Sequence, residues 1–276
     1  MRKTGRFSHL PAILLSQAEA DALPAFFEML ATASAKAILP LYRTALRVDN
    51  KIAEGFDPVT EADRTCELAL RQLIEDAHPD AGILGEEFGA TRADARDLWV
   101  LDPIDGTRAF IAGIPVWGVL AGLRREGRAV AGLMHQPFNG ESFVGLHGEN
   151  GSEAFYTHGP ERRTLRTRPC SGLGTAYAMT TAPELLDKRT TSLLGEARHL
   201  RFGADCYAYC MLAMGQIDLV IERGLQPYDI MALIPIVEAA GGVVTDFAGG
   251  RPESGGDLVA TGDPGLHDAV LARLNR

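Results

Sequence analysis

At 276 residues, the chain is long enough for one large α/β domain or two closely joined halves. Hydrophobic residues make up 46% and charged residues 23%, a balance that excludes disordered, collagen-like and coiled-coil chains. The formal net charge of −9 argues against a nucleic-acid-coating surface, which needs clustered Lys and Arg. An acidic chain still binds phosphate where metal ions reverse the local field.

Arg2, Lys3 and Arg6 open the chain in the manner of a signal peptide, but the apolar run from Pro11 to Leu15 is too short for one, and Glu19 and Asp21 follow at once. No segment approaches the roughly 18 apolar residues of a membrane span. A cytoplasmic protein without a membrane partner is expected. Residues 16–39 are Ala-rich and amphipathic, which predicts a helix with Ser16 as N-cap and a break at Pro24. Asp57-Pro58 reads as a turn. Thr60 or Glu61 opens a second helix to about Ala77, with Leu68, Ala69, Leu73 and Ile74 as its apolar face.

Strand character follows. Gly82 to Leu84 is short, and Leu98 to Leu101 is wholly apolar and stops at Asp102. Val116 to Leu123, Ala129 to Met134 and Ser142 to Leu146 are successive strands, with turns at Arg125-Glu126-Gly127 and Asn139-Gly140. The second half alternates: strand at Ala176 to Thr180, helix at Cys206 to Met214, strand at Ile217 to Ile221 and helix at Ile230 to Ala240. Strands at Val243 to Thr245 and Leu258 to Ala260 precede a last helix, Gly265 to Leu274. This mixture predicts layered α/β. No linker separates the halves, so residues 1–276 are read as one domain. Cys66, Cys170, Cys206 and Cys210 form no CxxC pair and have no zinc spacing; they read as buried reduced thiols.

The chemistry is concentrated in carboxylates. Glu86 and Glu87 follow one buried strand, Asp102 and Asp105 follow another, and Asp229 heads a later helix. Acids are rarely buried unpaired. Several at the ends of apolar strands repel one another unless a hard divalent cation such as Mg²⁺ sits among them. Gly106 permits a sharp turn and close approach to a ligand, and Thr107 is placed to start a helix whose free N–H groups hold an anion. Together these describe a phosphate-ester hydrolase. Spacing alone leaves a second reading open, in which Asp102 and Asp105 merely cap turns.

Asp102-Pro103-Ile104-Asp105-Gly106-Thr107 resembles the signature of the inositol monophosphatase superfamily of Mg²⁺-dependent, lithium-sensitive phosphatases. Val59 to Asp63, Gly85-Glu86-Glu87, and Tyr228-Asp229 through Gly242 resemble three further family blocks, in the family's order. Within the superfamily, the histidinol-phosphate phosphatase branch is the more similar. That likeness rests on Asp105 to Phe110 followed by Gly113, on Gly203 to Tyr209, and on Gly224 to Asp229. Ala109 and Tyr228 stand where inositol phosphatases usually carry Asn and Trp.

The resemblance implies an α/β/α/β/α sugar-phosphatase-like fold and two or three Mg²⁺ ions. Glu86, Asp102, Asp105, Asp229 and the Ile104 carbonyl would be the ligands. Asp63, Glu86 and Thr107 would be the catalytic residues, Asp63 either joining an additional, weaker ion or holding the attacking water through Thr107, and the water would attack directly in line without a phospho-enzyme. Gly106 and Thr107 would hold the phosphate, and Asp205, Glu222 and Arg108 the substrate. Asp205 also reads as an N-cap and Arg108 as the partner of a nearby acid. Glu87 reads equally as a neighbour of the site or a solvated acid, Lys51 as a surface residue, and Tyr228 and Trp117 as core. Histidinol phosphate carries an amine, which suits Glu222 and Asp205 because charge-assisted hydrogen bonds are the stronger ones. Inositol monophosphate and 3′-phosphoadenosine 5′-phosphate are the alternative substrates, and binding to transcription or ribosomal machinery is the non-enzymatic alternative. Family relatives are commonly homodimers, so a dimer is expected. The sequence has no Gly-x-Ser-x-Gly elbow and no Walker A loop.

Overall fold

The computed structural model describes residues 13–45, 48–50 and 58–275; residues 1–12, Lys51 and Asp57 lie outside them. The first half runs α1 (Gln17–Ile38), β1 (Val48–Asn50), β2 (Pro58–Thr60), α2 (Glu61–Ala77), β3 (Gly82–Gly85), β4 (Gly89–Thr91), β5 (Asp97–Asp105) and α3 (Thr107–Ile111). Five antiparallel strands follow: β6 (Gly118–Arg125), β7 (Arg128–Gln136), β8 (Glu141–Gly148), β9 (Gly151–His158) and β10 (Glu161–Thr164). The second half runs β11 (Tyr177–Thr180), α4 (Lys188–Leu194), β12 (His199–Phe202), α5 (Asp205–Ala213), β13 (Leu219–Leu225), α6 (Pro227–Ile230), α7 (Leu233–Ala239), β14 (Val243–Asp246), β15 (Gly256–Thr261) and α8 (Pro264–Leu274).

Two large sheets result. One has eight strands in the order β10-β9-β8-β7-β6-β5-β3-β4, the other five in the order β12-β11-β13-β15-β14. The period of two along β5 explains its apolar run. Trp99 and Leu101 pack with α1 and α2 on one face, while Leu98 and Val100 pack on the other with α5, α6 and α7. Those middle helices also bury Val220, Val244, Leu258 and Ala260 of the five-stranded sheet. Its far face, with Leu219, Ile221 and Val259, is covered by α4 and α8. The layers are therefore α/β/α/β/α, as the resemblance implied.

Local differences have physical causes. α1 is capped by Ser16 and Glu19 in a capping box, but it runs through Pro24 without a break. Its buried stripe, Leu23, Phe26, Phe27, Leu30, Ala31, Ser34 and Ile38, holds the helix despite the missing N–H. α2 is rotated from the expected face. Leu68 is 55% exposed, whereas Ala62, Asp63, Cys66, Glu67, Leu70, Arg71 and Ile74 are buried. The helix expected at Ile230 to Ala240 starts only at Leu233, as α7, and Ile230 ends the separate short helix α6. β10, with every residue exposed, has no apolar signal and exists because it completes a ladder with β9. Three of the cysteines are buried and free, but Cys170 is only half-buried.

A track of glycines fixes where α7 lies. Gly122, Gly132 and Gly145 stand opposite one another on β6, β7 and β8. A Cβ at Gly132 would come 1.9 Å from the Ala232 carbonyl oxygen, and one at Gly145 would come 2.3 Å from the Ile236 nitrogen. The sheet thus admits the α7 backbone directly, and α6, with Asp229, is set by the same contact. Gly132→Ala is expected to force the helix off the sheet and cost about 1–3 kcal/mol of stability, read as a lower urea midpoint at unchanged slope.

Candidate metal centre

β5 carries two of the carboxylates. Its pairing with β6 is regular to Asp102, opposite Leu120, and resumes at Asp105, opposite Gly118. Three steps along β5 thus match two along β6, which is a bulge of one residue. In a regular strand, residues three apart face opposite ways. The bulge, in which Pro103 needs no N–H partner, turns Asp102 and Asp105 to the same side. Asp229, third residue of α6, closes a capping box in which its Oδ2 accepts the Gln226 N–H at 2.7 Å. Carboxylate oxygens of Asp102, Asp105 and Asp229 lie within 4.8 Å of one another.

Glu86 and Asp63 border this cluster. Glu86 stands just past β3, its N–H donating to the Leu101 carbonyl at 3.2 Å, and its carboxyl is in hydrogen-bonding contact with Asp102. Asp63 is buried in the first turn of α2, where Oδ2 accepts the N–H of Thr60 at 2.8 Å and its hydroxyl at 2.6 Å. Burial first, and the negative charge of Glu86 among lesser causes, pushes the Asp63 carboxyl up to about 6. Burial and then its acidic neighbours push Asp102 and Asp105 well above the usual carboxylate range. An all-oxygen donor set of three carboxylates this close together fits a hard divalent cation.

The other expected groups gather around this point. The Thr107 hydroxyl donates to the Ile104 carbonyl at 3.0 Å. Gly106 has φ +84°, and a Cβ there would come 2.8 Å from the Asp205 Oδ2. α3 does begin at Thr107, but it spans only five residues. Asp205 is not an N-cap: Ala204 holds that position without a side-chain bond, and Asp205 is the first helical residue, at φ +43°. The Cys206 N–H of α5 instead donates to Asp105 Oδ2 at 2.6 Å. A metal-site carboxylate from the first half thus caps a helix of the second.

Glu222, on β13, is 2% exposed. Its Oε1 accepts the Thr181 N–H at 2.7 Å and the Thr181 hydroxyl at 3.1 Å, while Oε2 has no hydrogen-bond partner among the described residues. Burial first, and the charges of Asp205 and Asp229 among lesser causes, push its carboxyl up to about 8. Arg108 pairs with Glu184 at 3.4 Å on the exposed rim, and its charge reaches Asp205. Trp117 is core, and Tyr228 is half-buried against the separate core cluster between the two large sheets. Sequence reading missed Thr181, for which no motif exists, and Glu67, whose carboxylate takes the Glu87 N–H at 2.7 Å.

The raised carboxyls set a pH dependence. Glu222 moves from an ordinary 4.5 to about 8, so between those values the folded protein keeps a proton that the unfolded chain releases. Stability therefore falls as pH rises through that window. His135 has the opposite sign, since burial lowers it from 6.5 to about 4, but its contribution is complete above about pH 6.5. In EDTA, the melting temperature is expected to fall between about pH 6.5 and 8 and to be restored more by Mg²⁺ at the upper end, because metal binding favours the deprotonated ligands. Calorimetry at fixed ionic strength checks it; a flat or rising profile contradicts the assignment.

Comparison with known proteins agrees with this geometry. Residues 20–276 match the model of the inositol monophosphatase family. The chain is 37% identical to a bifunctional phosphatase IMPL2, chloroplastic, of Arabidopsis thaliana, over 94% of this chain and 77% of that protein. It is 32% identical to a histidinol-phosphatase of Chlorobaculum parvum, over 84% of this chain and 88% of that protein. Its fold matches an inositol monophosphatase from Zymomonas mobilis with a TM-score of 0.81 and 38% identity, covering 95% of this chain and all of that one. Among the described residues, no helix is long and apolar enough to cross a membrane. The chain belongs to the inositol monophosphatase family, whose members are metal-dependent phosphatases.

Proposed function

We propose that this phosphatase is a Mg²⁺-dependent histidinol-phosphate phosphatase, converting L-histidinol phosphate and water to L-histidinol and phosphate. The observation that carries this reading is the unpartnered Oε2 of buried Glu222, with the Asp205 charge beside it. Two acids outside the metal cluster suit a cationic amine, and a buried carboxyl gains most from such a partner. The histidinol-phosphatase of Chlorobaculum parvum supports the same substrate.

We assign Glu86, Asp102, Asp105, Asp229 and the Ile104 carbonyl to the ions, and Asp63, Glu86 and Thr107 to orienting the attacking water. When bound, Mg²⁺ supplies charge to the phosphoryl oxygens and acidity to water. Gly106 and Thr107 take the phosphate, and Asp205, Glu222 and Arg108 the substrate body. The contributions of both halves to one centre favour treating residues 1–276 as a single unit. Mg²⁺ in two or three copies, a cytoplasmic location and a homodimer rest on the family resemblance.

Asp105→Asn keeps an acceptor for the Cys206 N–H but removes a charge from the centre. It is expected to stay folded by circular dichroism and to lose at least ~100-fold in kcat; near-normal turnover at low Mg²⁺ would sink the ligand assignment. The substrate itself is tested by phosphate release with Mg²⁺ from L-histidinol phosphate, inositol 1-phosphate and 3′-phosphoadenosine 5′-phosphate, compared by kcat/KM. Histidinol phosphate is expected to lead, and Glu222→Gln to raise its KM by roughly 10-fold or more while changing an aryl phosphate little. Preference for another substrate overturns the assignment and keeps the metal centre. No release from any of the three turns attention to a binding role.

A further inference from the structure

We propose that Glu67, seated on Arg71, is a positioning residue that sets the Mg²⁺ affinity of the centre by fixing the backbone beside Glu86. The inference rests on the metal reading above. Glu67 is fully buried on α2, one turn after Asp63. Its Oε2 accepts the Glu87 N–H at 2.7 Å, and its Oε1 accepts the Phe88 N–H at 3.2 Å and the Arg71 Nε at 2.8 Å. Arg71 extends the grip, donating to the Gly89 carbonyl and, at 3.2 Å, to the Thr91 hydroxyl. With the Glu86 N–H on the Leu101 carbonyl, three consecutive amides, of residues 86, 87 and 88, have fixed acceptors.

The space before Glu86 is shaped by the same pair. A Cβ at Gly85 would come 1.9 Å from the Glu67 Oε1 and 2.8 Å from the Arg71 Nη2. The carboxylate therefore fills the volume that a side chain at position 85 would need. A buried ion pair is a weak source of stability, since desolvation offsets its attraction and apolar residues of similar volume often serve as well. What it provides is direction. Glu67 supplies acceptors aimed at two particular amides, and the Arg71 Nε bond holds the carboxylate in that orientation. α2 thus presents Asp63 to the centre directly and Glu86 through the turn that it grips. Glu67 does not touch the reacting atoms.

Two variants disturb the grip differently. Glu67→Gln removes the charge and one acceptor. Gly85→Ala leaves every charge in place and pushes the carboxylate away. Mg²⁺ affinity is measured by calorimetry, alongside the Mg²⁺ concentration for half-maximal turnover and the substrate KM at saturating Mg²⁺. Both variants are expected to bind Mg²⁺ about 10-fold more weakly, as outer partners of metal ligands commonly dictate, with KM within about twofold of the parent. Unchanged Mg²⁺ affinity in the folded variants overturns the proposal. Failure of both to fold also overturns it, because the pair then serves the core alone. If the parent protein itself binds no Mg²⁺, the metal reading fails instead.

Discussion

The structure turns on carboxylates held closer together than their charges favour. Oxygens of Asp102, Asp105 and Asp229 lie within 4.8 Å of one another, where two full charges repel by about 3 kcal/mol at an effective dielectric of about 20. Asp63 and Glu86 add to the same field. Each Asp is tied by a local donor: Ile104 N–H for Asp102, Cys206 N–H for Asp105, Gln226 N–H for Asp229 and Thr60 for Asp63. Those ties fix where the acids are without cancelling their charge. Burial and the neighbouring negative charges raise Asp63, Asp102 and Asp105, so that these three favour holding protons. A divalent cation would relieve the repulsion by displacing them.

Much of the fold serves to hold that arrangement. The bulge in β5 turns two aspartates to one side, the glycine track seats α7 and so places Asp229, and α2 carries Asp63. The bond from the Cys206 N–H to Asp105 joins the halves at the site itself. The helix that it caps begins with two uncommon conformations nearby, Gly106 at φ +84° and Asp205 at φ +43°. A non-glycine residue in that region is strained, and such strain persists where surrounding contacts over-determine it. Here a larger residue at Gly106 would press on the Asp205 carboxylate, so the turn at Gly106 and the Asp205 side chain fit only as a pair.

The strands on either side of the centre are legible in the sequence because they are apolar runs ending at acids or turns, as in Leu98 to Asp102. β10 is not, since its polar residues extend the sheet there only by completing a ladder. α2 is the instructive failure. Glu67 and Arg71, four apart, look like an ordinary solvated helix pair, and counting apolar positions assigned Leu68 to the core instead. Yet Asp63, Glu67 and Arg71 recur at the same spacing as Cys66, Leu70 and Ile74 and share their buried side. A polar stripe running alongside an apolar one is the signature of a helix that packs and positions at once. The carboxylates of the centre were legible through their order along the chain; their convergence was not, because it depends on the bulge and on the break between α6 and α7.

Glu222 differs in kind from the metal-centre acids. A cation held by them would serve every phosphate monoester alike, so on that reading they would not distinguish one substrate from another. Glu222 keeps one oxygen on Thr181 and the other without a partner, in surroundings that favour its neutral form near pH 7. A cationic amine arriving there would stabilise the ionised carboxylate and release its proton, gaining a charge-assisted bond where water is scarce. A hydroxyl-bearing substrate would meet a neutral acid able to donate or accept, with no charge to exchange. On the substrate assignment proposed above, the burial that makes the ionised Glu222 costly would also make it discriminating, and the choice of substrate would rest on a group that the metal chemistry does not need.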